Sequence, residues 1–258
     1  MMEEEKYIYC VIDSDEERQF GPLGIGGRND ELHSIAFHNI AAVVSDSPKK
    51  HYPVSRENMM AHQKVLELMM ESYTLLPVKF GTVAKSNAKR EVTERIRLEV
   101  LKKRYDELHG LLDRMEGKIE LGLKCLWKNM ESIFSELVEQ NSDIRILKRK
   151  ISRGHPVKTR DKRVTLGEKV KNALDRKREK EEARILRVLK PLSVDVESGT
   201  IFGDNMVTNT SFLVPIEKVG DFDAVVNQIS SAQNGRMKLK YVGPVPPCNF
   251  VELTIVLE

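Results

Sequence analysis

Lys118-Ile119-Glu120-Leu121-Gly122-Leu123-Lys124-Cys125-Leu126-Trp127 reads as a strand, and the order of elements after it decides the fold. Met130, Ile133, Phe134, Leu137 and Val138 recur at i, i+3, i+4, i+7 and i+8, the stripe of an amphipathic helix. A basic stretch comes next, broken by Gly154 and Pro156. Thr165-Leu166-Gly167-Glu168 has the capping-box pattern, so a highly charged helix is expected to open there and to close at Pro191. Strands are expected at about 193–202 and 208–216. A helix from Asp221 carries Phe222, Val225, Val226 and Ile229 on one face and stops at Asn234-Gly235. Two strands, 237–242 and 250–257, close the chain; in the last, Val251, Leu253, Ile255 and Leu257 alternate with Glu252 and Thr254. The order β-α-(helical insert)-β-β-α-β is that of a split βαβ unit interrupted after its first helix, with one strand added.

Upstream, Tyr7 to Ile12 is rich in aromatic and β-branched residues and reads as a strand. Residues 34–37 and 40–44 read as a hairpin turning at His38-Asn39. Residues 55–71 read as a helix capped by Ser55, with Met59, Met60, Leu66, Met69 and Met70 as its apolar face. Leu75 to Val83 reads as extended, with Pro77 at a strand start, bulge or edge. A long helix is expected over 87–116, where Val92, Ile96, Leu101, Tyr105, Leu108, Leu112 and Met115 step by three to five, and Gly117 stops it. The expected fold class is therefore α+β with two domains: 1–117, an α+β domain, and 118–258, a modified ferredoxin-like domain with a long charged helical insertion at about 150–191 and a terminal strand.

Composition narrows the function classes. No apolar run approaches the ~20 residues of a membrane-spanning helix. The N-terminus Met1-Met2-Glu3-Glu4-Glu5 is acidic where a secretory signal is basic and then apolar, so the expected compartment is the cytoplasm. Cys10, Cys125 and Cys248 are too few and too scattered for a disulfide framework or a zinc knuckle. Gly24-x-Gly26-Gly27 lacks the third glycine of a dinucleotide loop, because Asn29 stands there, and reads as a tight turn. The six histidines form no H-x-x-x-H pair, and no nucleophile elbow occurs. No catalytic constellation and no cofactor or metal site is expected.

Charge is uneven. The net value is +3, but residues 145–180 hold 15 Lys or Arg against 4 Asp or Glu, an excess of +11, so the rest of the chain carries −8. Lys148, Arg149, Lys150, Arg153, Lys162 and Arg163 mark this basic surface. Three readings stand: a solvated helix pair, a surface for an acidic protein, or a nucleic-acid footprint. The tract has no Phe, Tyr or Trp for base stacking, which weighs against the last.

Two segments are more than core packing. Leu76-Pro77-Val78-Lys79-Phe80-Gly81-Thr82-Val83 sets one cation among apolar residues and places Gly where a strand kinks. Gly243-Pro244-Val245-Pro246-Pro247-Cys248-Asn249-Phe250 has three prolines in four residues, which fix φ and remove donors. Pro77, Lys79, Phe80, Gly81, Gly243, Pro244, Val245, Pro246, Pro247 and Phe250 are the candidates for an interdomain seal or a partner contact.

These segments carry a resemblance. Gly243–Val251 resembles the Gly-Pro-Trp-Pro-Pro-Tyr-Ser-Phe-Val signature of the gas vesicle protein GvpF/GvpL family. Leu76–Thr82 resembles its Leu-Pro-Leu/Val-Arg-Phe-Gly-Thr, and Ala41-Ala42-Val43-Val44-Ser45-Asp46 its Ala-Ala-Val-Val-Ser-Asp. His62 stands where that family commonly has a His, and Tyr7–Val11 and Gly24–Gly27 also fit. The departures are Val245 for Trp, Cys248 for Tyr, Asn249 for Ser and Lys79 for Arg. They remove two aromatic contact surfaces and one bidentate fork, which favours sealing of the protein's own domains over grip on a partner. The resemblance implies a non-enzymatic minor component of gas vesicles, acting in nucleation and assembly. It implies contacts with the small hydrophobic shell protein GvpA and with other accessory Gvp proteins, and protection of the shell protein from aggregation. The alternative is a basic nucleic-acid-binding adaptor using 145–180.

Overall fold

The computed structural model describes residues 5–49, 51–155, 159–233 and 235–256. Contacts divide the chain into two compact units, Met1–Glu120 with Pro244–Glu258, and Leu121–Gly243.

The first unit is built on β1 (Glu5–Ile12), which is buried along its whole length. Side chains of a strand alternate between faces, so both faces of β1 are covered. The sheet order is β2 (Gln19–Gly21), β3 (Leu32–Phe37), β4 (Ile40–Asp46), β1 and β5 (Leu75–Pro77), and β6 (Val83–Lys85) also pairs with β1. β4, β5 and β6 all run antiparallel to β1. β3 and β4 form the expected hairpin, with His38 at φ +53° in its turn. The β1–β4 register slips between Ile8 and Cys10, which makes Tyr9 a bulge residue.

Helix α1 (Arg56–Met70) begins at Ser55, whose side chain accepts from the Asn58 N–H. Its buried face is His62, Val65, Leu66 and Met69. Met59 and Met60, expected on that face, are 42% and 59% exposed, because the face rotates toward His62. The long helix expected at 87–116 is three pieces. They are α2 (Val92–Arg95), a π-helical turn (Ile96–Lys102) and α3 (Tyr105–Met115). The five-residue step from Ile96 to Leu101 is the i→i+5 spacing of that turn, and it keeps both side chains buried. Gly117, at φ +66°, follows α3 in the left-handed conformation that stops helices.

In the second unit, β7 (Lys118–Trp127), β8 (Asp195–Ser198), β9 (Met206–Pro215) and β10 (Met237–Val245) form one sheet in the order β10-β7-β9-β8. Helices α4 (Met130–Gln140), α5 (Ser142–Ser152) and α6 (Arg160–Leu189) lie between β7 and β8 in the chain, and α7 (Val219–Ala232) between β9 and β10. Phe222 of α7 meets Phe212 at 5.1 Å and stacks on Tyr241 at 6.0 Å, so it fastens helix to sheet.

Helix α5 (Ser142–Ser152) precedes the charged stretch in which a helix was expected from about 150. Three expectations are corrected. The Thr165 capping box does not open a helix: α6 begins at Arg160, and Thr165 Oγ1 donates to the Asp161 carbonyl inside it. Strand β10 continues through Gly243 and Pro244 to Val245; it is an edge strand, where proline's missing N–H costs no ladder bond. The terminal strand expected at 250–257 is a single parallel bridge, Val78↔Leu253, and residues 244–258 group with the first unit rather than the second. Its partner segment enters a turn at Phe80-Gly81, with Gly81 at φ +86°. The breaks expected at Pro156 and Asn234, and Leu257 of the last strand, lie outside the described residues.

Candidate functional site

The family-like segments at 76–82 and 246–253 meet on the edge of β1. Pro77 pairs with Cys10, and the Val78 N–H donates to the Tyr9 carbonyl at 2.9 Å. Leu253 N–H donates to the Pro77 carbonyl and Lys79 N–H to the Leu253 carbonyl, each at 2.9 Å. The proline supplies only an acceptor here, which is all this bridge asks of it. Pro77 is buried, Phe80 and Gly81 are half-buried, and Lys79 is exposed. Lys79 is thus a surface cation rather than a core one.

Behind the bridge lies a polar and aromatic knot. His62 of α1 is 5% exposed, with its ring stacked on Tyr9 and edge-on to Tyr7 and Phe80. Its Nδ1 lies 3.0 Å from the Tyr7 hydroxyl, and the two share a buried hydrogen bond. The Tyr7 oxygen in turn accepts the Gly81 N–H at 2.9 Å. Each of these side-chain polar atoms has a partner, so burial costs the knot little. Burial pushes the His62 imidazole down to about 4 against the pull of Val78, which keeps it neutral. Burial likewise raises the Tyr7 hydroxyl, despite the Gly81 bond.

Gly24–Gly27 closes the same region. The Ile25 N–H donates to the Tyr9 hydroxyl at 2.7 Å. A Cβ on Gly24 would lie 2.8 Å from the Asp30 carbonyl oxygen, and one on Gly26 would lie 3.1 Å from the Tyr52 ring. These glycines allow close backbone packing, as the tight-turn reading expects.

In the proline segment, Gly243 and Pro244 are exposed, Val245 and Phe250 half-buried, and Pro246 and Pro247 buried. The turn after them is tied internally: Phe250 N–H and Val251 N–H both donate to the Pro247 carbonyl at 3.0 Å. Its anchor was not legible in the sequence. Glu120, 2% exposed at the start of β7, accepts the Asn249 N–H at 3.0 Å and the Asn249 side-chain amide on its other oxygen. The Asn side chain, where the family signature has Ser, thus adds a second bond to a buried carboxylate that the backbone already holds. Cys248 is an exposed free thiol.

The basic surface is in the second unit. Lys148, Arg149, Lys150 and Arg153 on and after α5, and Lys162 and Arg163 on α6, are all exposed. Lys169 joins the two helices through Asp143 at 2.6 Å. Among the described residues, no group of three or more His, Cys, Asp or Glu could hold a metal ion. Among them, too, no helix is long and apolar enough to cross a membrane.

The family model described as gas vesicle synthesis protein GvpL/GvpF matches residues 5–252. Gas vesicle protein F of a Streptomyces species is 28% identical over 247 residues, covering 95% of this chain and 99% of the relative. Gas vesicle protein F1 of Halobacterium salinarum is 24% identical over 260 residues, covering 100% of this chain and 97% of the relative. The crystal structure of GvpF from an Anabaena species superposes with a TM-score of 0.83 at 22% identity, over 97% of this chain and 99% of that one. GvpF from Microcystis aeruginosa gives 0.78 at 21% identity, over 96% and 99%. The structural likeness carries the mixed α/β fold; the sequence match, covering nearly all of the chain, carries the kinship. The chain belongs to the GvpL/GvpF family of gas vesicle synthesis proteins.

Proposed function

We propose that this chain is a non-enzymatic assembly factor for gas vesicles, which acts in the cytoplasm during nucleation. It binds the small hydrophobic shell protein GvpA and other accessory vesicle proteins, and it keeps shell subunits from aggregating. The observation that carries this is membership of the gas vesicle family across residues 5–252. The internal saturation of 76–82 and 246–253 supports a sealing role for these segments within the first unit, with partner contact made elsewhere. An apolar surface suited to a hydrophobic partner lies at the start of α1, where Val54 is 81%, Met59 42% and Met60 59% exposed. Methionine adapts its shape to an apolar partner. The second unit is taken as a modified ferredoxin-like domain, a reading supported by its β-α-β-β-α-β order with a helical insertion. The nucleic-acid alternative drawn from 145–180 gains nothing from the relatives, which are described by gas vesicles.

The test is co-purification of tagged full-length chain with its cognate shell protein. Met59→Glu/Met60→Glu is expected to cut the recovered shell protein at least several-fold with folding intact. Recovery equal to the parent would rule out this surface as the contact.

A further inference from the structure

One groove of the second unit is left with an unbalanced charge. Between α4, α6 and Arg236 lies a cavity of about 430 Å³. Its inner cations are neutralised. Glu136 pairs with Lys177 at 2.9 Å and with Arg236 at 2.8 Å, and Glu181 reaches Arg236 at 3.5 Å. Its outer wall is not. Arg176, Lys180 and Arg184 stand at i, i+4 and i+8 on α6, all exposed and all lining the groove. Among the described residues none of the three is ion-paired. Like charges four apart on a helix repel, so anions set across the row relieve it.

We infer that this groove docks an acidic helix of a partner protein. A helix rises 1.5 Å per residue, so the row spans roughly 12 Å and advances about 6 Å per cation. Carboxylates at i, i+4 and i+8 of a second helix match that advance, as flanking charges do in paired helices. A nucleic acid fits worse, because no aromatic side chain lines the groove to stack a base. The inference rests on the assembly reading only in taking the partner to be a protein. Its probe is a designed peptide, so its failure leaves shell-protein binding standing.

The experiment is anisotropy of a labelled helical peptide carrying Glu at three positions four apart, titrated with the full chain at physiological ionic strength. A Gln counterpart is expected to bind about tenfold more weakly, as is the Glu peptide to Arg176→Gln/Lys180→Gln/Arg184→Gln. Lys148→Gln/Arg149→Gln/Lys150→Gln is expected to bind like the parent. If the groove variant fails to fold, Lys180→Glu is paired with a peptide carrying Lys at its central position, and recovered binding supports the inference. Equal binding of the Glu and Gln peptides overturns it, and so does undiminished binding to the folded groove variant. Tighter binding of a short RNA, abolished by the same groove substitutions, also overturns it.

Discussion

Lowering the pH from 7.5 to 5 is expected to weaken the first unit by about 2 kcal/mol through His62 alone. The imidazole titrates near 6.5 when exposed and at about 4 in the fold, because burial penalises its charged form. The unfolded chain therefore binds more protons between those values, so stability rises with pH across the window. The contribution is complete above 6.5 and falls away as pH drops toward 4. The full difference is about 3 kcal/mol, and most of it is gone by pH 5. The comparison is with His62→Gln, which fills the site without titrating. Five of the six tyrosines lie in the first unit and Trp127 in the second, so tyrosine near-ultraviolet circular dichroism follows the relevant unfolding. Urea denaturation at both pH values gives the parent-minus-variant difference in stability, in which every other titrating group cancels to first order. That difference should shrink by about 2 kcal/mol at the lower pH. A pH-independent difference would refute the buried, neutral assignment, as would an imidazole NMR titration near 6.5.

Three other variants test the packing described. Asn249→Ala removes the side-chain bond to buried Glu120 and should cost about 2 kcal/mol, read by urea denaturation. Pro246→Gly with Pro247→Gly frees the unfolded chain at two buried positions and should cost about 1–2 kcal/mol; a loss of partner binding at unchanged stability would contradict the sealing role. Gly24→Ala drives a Cβ against the Asp30 carbonyl and should lower stability by about 1–3 kcal/mol, seen as a drop of several degrees in thermal unfolding.

How much of this was legible depended on whether a signal was local. Ser55, Gly117 and the 38–39 turn were legible because a cap, a stop and a hairpin are set by neighbours in sequence. The alternation at 251–254, read as a strand, survives only in burial: Val251 and Leu253 are inside, Glu252 and Thr254 outside. What pattern cannot supply is the partner, and Leu253 pairs with Val78, 175 positions away. The Thr165 motif failed for the converse reason. A capping box is a weak local preference, and here the residues before it are already helical, so the hydroxyl returns to Asp161. Tyr7 and Tyr9 were legible as part of a strand, but their joining to His62, Gly81 and Ile25 needed the fold. Glu120 gave no sign at all. A carboxylate in a strand reads as solvent-facing until Asn249 is brought to it.

Sedimentation tests most directly the proposal that this chain handles the hydrophobic shell subunit. Cognate GvpA is diluted from denaturant into buffer with or without an equimolar amount of the full chain, and the supernatant is assayed for both proteins. The chain is expected to hold shell protein in the supernatant, and the two are expected to elute together on gel filtration. Shell protein that pellets equally with and without the chain, with the other accessory vesicle proteins also supplied, would contradict the claim.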